Sequence, residues 1–382
     1  MLLKSMSAAQ YRSLRAIRME LDGVNVFIGA NGVGKTNLYR GLQLVQAAVR
    51  GTFAREIAAE GGMMQALWAG PRRKQEKARL VFSVEVEDEA NGLGFGYRIE
   101  AGFRPPPPAA GFAYEPHIKL EEFSVNMGRG PVTMMKREGP GITLRGDRGR
   151  MSPFGETAMV SETAISMLAH EAAAPEIATF CRFVEQWRFF HGFRTDAQSP
   201  LRRPCLAVTA PLLDEDGSNL AAVFATISVN RQEMPEIDQI LFDALGGAEL
   251  VIPEPEEEAS IGLSLPDFPK RVFSAREFSD GQLRFLALTG ALMSYRLPPL
   301  IALNEPEASL HPDMLEPLAD MIANAAKRSQ IWIVTHSERL AEAVAQRCGV
   351  RFRHVVRQDG KTWIEGMRLT GEIAGSDDGD ED

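Results

Sequence analysis

Apolar and polar positions change rhythm several times along this chain, and each rhythm predicts a different kind of element. The alternation in YRSLRAIRMEL, near the start, predicts a short strand or hairpin. VNVFIG (24–29) is unbroken and predicts a buried strand. TNLYRGLQLVQAAV (36–49) then spaces Leu38, Leu42, Val45 and Val49 onto one helical face. Between about 78 and 145, ARLVFSVEVED, GFGYRIEAGF and EPHIKLEEFSV alternate as antiparallel strands, and PPPP (105–108) marks a solvent loop.

From about 160 to 245 the period lengthens. SETAISMLAH, PEIATFCRFVEQWRFF, DGSNLAAVFATISV and PEIDQILFDAL predict helices there, and a Glu-rich loop, PEPEEEAS (253–260), follows. Next come a helix from about 281, the strand PLIALN, a helix after Pro312, the strand QIWIVT and a helix after Ser337. Strands alternating with helices predict a parallel sheet covered by helices. The expected class is α/β, with a mixed sheet flanked by helices and carrying strand-rich and helical insertions. No long heptad stretch occurs between 50 and 275, which excludes an extended coiled-coil arm. The expected divisions are an N-terminal lobe at 1–150, a mainly helical insertion or lid at 151–260, a C-terminal lobe at 261–366 and a disordered acidic tail at 367–382.

The formal charge is 42 − 51 = −9, which argues against a nucleic-acid binder that uses its whole surface. A local basic groove stays open. PRRKQEKAR (71–79), Lys136 with Arg137, and LRGDRGR (144–150) can touch DNA phosphates without reading sequence, or form solvated loop faces. Cys181, Cys205 and Cys348 are widely spaced without paired ligand spacing, so reduced thiols rather than zinc are expected. No apolar run approaches about 18 residues and the start has no apolar signal core, so a cytoplasmic protein with no membrane segment is expected.

The chemistry concentrates in a few short stretches. GANGVGKTN (29–37) stands between a buried strand and a helix. Gly29, Gly32 and Gly34 let such a loop turn its N–H groups inward around phosphate oxygens, and the following helix adds its positive end. Ala30, Asn31, Val33 and Asn37 complete the expected nucleotide-binding loop, Lys35 reaches the β- and γ-phosphates, and Thr36 offers its hydroxyl to Mg²⁺. In LPPLIALNEPEASLHP, Glu305 follows a buried strand, where its carboxylate can orient and deprotonate water; Glu305 and Glu307 as loop solubilisers is the other reading. Asn304 replaces the usual aspartate, offering the metal a neutral oxygen without charge, so slower turnover or weaker Mg²⁺ retention is expected.

His336, ending QIWIVTH, either hydrogen-bonds a γ-phosphate or caps the helix at Ser337, while His311 reads as architectural. In REFSDGQLRFLALTGAL (276–292), Ser279 and Asp280 cap a helix near Gly281, with Gln282 in its first turn. That turn is an ordinary cap, or else an anion cradle for a nucleotide held by another copy, giving a two-fold dimer around shared ATP.

Together GANGVGKT, FSDGQ, LIALNEPEASLHP and VTHS resemble the phosphate loop, signature segment, second acidic motif and switch histidine of ABC-type ATPases. Within these the chain is similar to SMC/RecF-like and OLD-like predicted ATPases with "AAA 21" domains, over roughly 1–50 and 274–345, with DGSNLA (216–221) also alike. The resemblance implies a P-loop NTPase of ABC/SMC-head type. It implies that Lys35 and Thr36 bind phosphate and Mg²⁺, Glu305 is the catalytic carboxylate, His336 senses the γ-phosphate, and Ser279, Gly281 and Gln282 complete an opposite site. FSDGQ departs from LSGGQ at Asp280, and Asn304 departs from aspartate; the family's metal-contacting glutamine has no evident counterpart in the divergent middle. Relatives act in DNA repair, chromosome maintenance or phage defence, some through a C-terminal nuclease that the short C-terminal remainder here is too small to hold. The expected function is an ATP-hydrolysing, ATP-driven dimer of that kind. The alternative is a nucleotide-gated module that controls a separate effector, such as a nuclease, with weak or no hydrolysis.

Overall fold

A computed structural model of the chain describes residues 1–72, 74–104, 112–146, 148–171, 174–230, 234–368 and 370–373. The PPPP run and the tail from 374 onward lie outside the described residues. The chain forms two compact units, each discontinuous in sequence. One draws on Met1–Asp22, Gly29–Trp187 and Arg353–Asp382, the other on Gly23–Ile28 and Arg188–Phe352. Boundaries at 150, 260 and 366 do not express this discontinuity, because β3 (Val24–Ile28) belongs to the second unit while its flanks belong to the first.

The first unit is built on a nine-stranded sheet. The opening hairpin pairs β1 (Leu2–Tyr11) with β2 (Leu14–Glu20). β4 (Arg79–Asp88), β5 (Leu93–Gly102), β6 (His117–Asn126), β7 (Pro131–Glu138), β8 (Gly141–Arg145) and β9 (Met151–Pro153) follow as an antiparallel meander. β20 (Glu372–Ile373) adds in parallel beyond β2, and β18 (Arg353–Gln358) pairs antiparallel with β19 (Lys361–Ile364). Period-2 alternation buries one face, as Leu80, Phe82, Val84 and Val86 of β4 show. Helix α1 (Lys35–Val49) packs there, and Gly41 permits the approach, since a Cβ would stand 2.5 Å from the Met6 side chain. Its buried set exceeds the one face that periodicity predicts, because α2 (Phe53–Ala59), α4 (Ala164–Leu168) and α5 (Pro175–Glu185) cover other sides; α3 (Met63–Ala66) is a single turn.

One ionic group is sealed inside this unit. Arg137 and Glu121, both fully buried, pair at 3.0 Å across β7 and β6. Glu121 also accepts from the Tyr97 hydroxyl at 2.9 Å and from the backbone N–H of Ala164 at 2.7 Å, fastening α4 to the sheet. Burial and that carboxylate push the Tyr97 phenol well above its ordinary pKa. Arg137 therefore cannot serve in a basic patch for DNA. The expectation from the adjacent Lys136–Arg137 is corrected, because strand alternation sends one side chain outward and its neighbour into the core.

The second unit carries a parallel sheet in the order β10 (Arg188–His191), β16 (Leu300–Asn304), β17 (Gln330–Thr335), β3. Helices α6 (Leu220–Asn230), α7 (Met234–Ala244), α8 (Asp280–Met293), α9 (Leu315–Ala325) and α10 (Glu338–Cys348) share its core with Val26, Leu303, Ile331 and Ile333. Small antiparallel pieces complete it. β11 (Cys205–Leu206) pairs with β13 (Glu258–Ala259), and β12 (Glu249–Val251), β14 (Gly262–Ser264) and β15 (Val272–Ser274) form a three-stranded sheet. β10 corrects the helix expected through EQWRFF. α5 stops at Glu185, and Arg188–His191 instead pairs in parallel with Ile301–Asn304, where long-range pairing outweighs local period.

Arg137→Leu leaves the Glu121 carboxylate buried without its cation, which costs about 3–5 kcal/mol. The urea midpoint of the first unit's unfolding, followed by aromatic circular dichroism, is expected to fall accordingly; an unchanged midpoint refutes the anchoring role.

Candidate functional site

In the first unit, the loop from Gly29 to Gly34 leads straight into α1. Gly34 is the helix N-cap at φ 102°, and no side chain caps the first turn, which also holds no acidic residue. Uncapped N–H groups with the helix's positive end behind them suit an anion. A Cβ at Gly34 would stand 1.9 Å from Thr362 Oγ1 and 2.4 Å from Ser13 Oγ, so only glycine fits. These two residues, unforeseen from the sequence, belong to a relay that braces the loop. Asn37 Nδ2 donates to Ser13 Oγ at 2.7 Å, Ser13 and Thr362 share a 2.6 Å hydrogen bond, and Thr362 donates to the Val33 carbonyl at 2.9 Å. Asn37 is thus engaged within the protein. Lys35 is buried, with Nζ 2.5 Å from the Gly29 carbonyl and 2.8 Å from that of Ala30. Asn31, Gly32 and Thr36 are exposed.

In the second unit, strand register sets a cluster at the carboxyl ends. His191 pairs with Asn304, and Asn304 with Val334. Asn304 Nδ2 lies 2.6 Å from His191 Nδ1, while its buried Oδ1 makes no hydrogen bond. Glu305 comes next, partly exposed and in the left-handed region at φ 50°, with its N–H donating to the Val334 carbonyl at 2.7 Å. Glu307 is buried and gathers its neighbours: Oε1 accepts from Thr335 Oγ1 at 2.6 Å and from the His336 N–H at 2.9 Å, and lies 3.0 Å from His336 Nδ1. His336 does not cap the following helix. Ser337 does, accepting from Leu340 N at 3.2 Å. With Nδ1–H turned to a carboxylate, Nε2 of the exposed ring faces outward, an acceptor when neutral and a donor when protonated. Nothing in the spacing of Glu307 distinguished it from Glu305; its role depends on a contact 28 residues away. His311 caps the short turn Pro312–Met314, accepting from Asp313 N at 3.3 Å.

Ser279 caps α8 in a capping box. Its Oγ accepts from Gln282 N at 3.2 Å and Gln282 Oε1 accepts from Ser279 N at 2.9 Å, so the hydroxyl is engaged as an acceptor in the cap. Ser279 and Asp280 are exposed, and Gly281 is half-buried where a Cβ would stand 3.1 Å from the Ser309 carbonyl.

These donors fit the ligands that the fold implies. The uncapped helix end and Lys35 suit a triphosphate. Thr36 exposes its hydroxyl in the first unit, and in the second Asn304 keeps an unbonded Oδ1. Among the described residues no group of three or more His, Cys, Asp or Glu gathers for a metal. Among the described residues no helix is long and apolar enough to cross a membrane.

Gly34→Ala is expected to weaken binding of a fluorescent ATP analogue at least about tenfold, about 1.4 kcal/mol, with far-ultraviolet circular dichroism unchanged. Binding equal to the parent contradicts the loop's role.

A family model described as "AAA domain, putative AbiEii toxin, Type IV TA system" matches residues 165–342, a span that leaves out the phosphate loop. No curated protein sequence matches the chain. Among solved structures, an SMC head bound to the C-winged helix domain of ScpA aligns at 13% identity and TM-score 0.56, covering 95% of this chain and 97% of that one. The Smc head domain with an extended coiled coil bound to the C-terminal domain of ScpA, from Pyrococcus furiosus, aligns at 14% identity and TM-score 0.50, covering 95% of each chain. By this likeness the chain has the fold of SMC heads, and its residues 165–342 resemble an AAA domain.

Proposed function

We propose that the chain is a nucleotide-gated regulatory module. Loop 29–37 takes ATP with Mg²⁺, the bound state brings two copies together, and the pair governs a separate effector protein with little or no hydrolysis. The observation that carries this reading is Asn304. Its amide, 2.6 Å from His191 Nδ1, offers an oxygen but no negative charge where ATPases of this architecture usually have aspartate. Glu305 keeps a carboxylate one residue on, so activation of water stays chemically available while charge support for the metal is reduced.

Two further points support a protein effector. The matched family is described by a toxin and a type IV toxin–antitoxin system, and the similar SMC heads were solved with a domain of ScpA. Ser279 and Asp280 are exposed, as an encounter with another copy's nucleotide requires. A second reading, hydrolysis coupled to DNA repair, chromosome maintenance or phage defence, draws on Glu305 and on exposed Arg148 and Arg150 as phosphate contacts.

Phosphate release by the purified protein is expected to run slower than about 1 s⁻¹, the low end of ordinary turnover. Asn304→Asp is expected to raise it about tenfold, equivalent to about 1.4 kcal/mol off the barrier. An ordinary wild-type rate, or no gain in the variant, contradicts the switch reading.

A further inference from the structure

The segment that leads into α8 is held by a residue far from it in sequence. Arg202 ends the short turn Pro200–Arg202, whose cap, the buried Ser199, accepts from Leu201 N at 3.1 Å and donates to the Arg194 carbonyl at 2.6 Å. From that anchor the guanidinium reaches five acceptors. Nε donates to the Thr195 carbonyl at 2.9 Å. Nη1 donates to the carbonyls of Phe278 at 2.8 Å, Arg276 at 3.0 Å and Ala275 at 3.4 Å. Nη2 meets Asp280 Oδ1 at 3.1 Å.

The Arg202 side chain is 13% exposed and that of Asp280 65%. The ion pair alone is therefore weak, and the convergence of backbone carbonyls on one planar fork is the stronger constraint. An open cavity of about 1000 Å³ adjoins the turn, lined in part by Thr195, Arg202, Arg203, Arg276 and Asp280. Asp196, on the same wall, is paired with Arg194, and Asp280 with Arg202. Among the described residues no carboxylate pairs with Arg203 or Arg276, which leaves that wall net positive.

We propose that Arg202 is a positioning residue for the association of two copies. It neutralises Asp280, the residue that departs from the glycine of the signature pattern, and fixes residues 275–280 so that the turn at Ser279 meets the triphosphate held by a second copy. This rests on the nucleotide-gated reading above. Without Arg202, the Asp280 carboxylate repels the incoming phosphates and the turn loses its fixed backbone.

The test uses the full chain carrying Glu305→Gln, with ATP and Mg²⁺, and reads the dimer dissociation constant by analytical ultracentrifugation. Arg202→Ala is expected to raise it at least about tenfold, while binding of a fluorescent ATP analogue and the thermal midpoint stay near the parent's. Arg202→Lys, which keeps the charge without the fork, is expected to fall between. Adding Asp280→Asn to Arg202→Ala is expected to recover part of the association. Association of Arg202→Ala equal to the parent overturns the proposal, as does an equal loss of analogue binding, which marks a general structural role. If Arg202→Ala does not fold, Arg202→Lys carries the same comparison. Ser279→Arg separates the two levels. A dimer that survives it refutes the shared-nucleotide reading itself, whereas its loss alongside an unaffected Arg202→Ala refutes only the role of Arg202.

Discussion

Parallel register among β10, β16, β17 and β3 is the constraint on which the second unit depends. β16, β17 and β3 are mostly apolar and buried along their whole length, so the sheet survives only when covered on both faces. Because the strands run the same way, every residue that follows a strand emerges at one edge. His191, Asn304 with Glu305, and Thr335 with His336 stand there for that reason alone. Ile28, paired with Thr335, is the last residue of β3 before the chain continues as the phosphate loop. Chemistry-bearing residues separated by more than a hundred positions are thus ordered by hydrogen-bond register rather than by any local motif.

Buried polar groups then turn this framework into fixed geometry. A buried carboxylate without partners is costly, and Glu307 meets that demand by drawing in Thr335 and His336, which sets the imidazole's orientation. Thr362 and Ser13 do comparable work in the first unit, where hydroxyls rather than charges press against Gly34 and hold the loop open. Neutral bracing has a consequence. It leaves the positive end of α1 without an acidic residue in the helix's first turn. Asn304 follows the same economy, supplying an oxygen without charge.

What could be read from the sequence was what depends on local order. Period-2 runs became β4, β5 and β6, the unbroken apolar runs became β3, β16 and β17, and GxxxxGKT became a tight loop before a helix. What was not legible depends on contacts made across long separations. Trp187 to Phe190 reads as the end of a helix until pairing with β16 claims Arg188–His191 as a strand. Arg137 reads as half of a basic patch until strand alternation turns it inward to Glu121. Glu307, Thr362 and Arg202 carry no signature at all, because each matters through a partner 28 to 349 residues away.

The account turns on whether nucleotide changes the state of assembly. The molar mass of the wild-type chain by sedimentation equilibrium, with and without saturating ATP and Mg²⁺, addresses that directly. A monomer that becomes a dimer only when nucleotide is added, and returns when it is removed by dialysis, is the predicted result. The same mass under both conditions would contradict it.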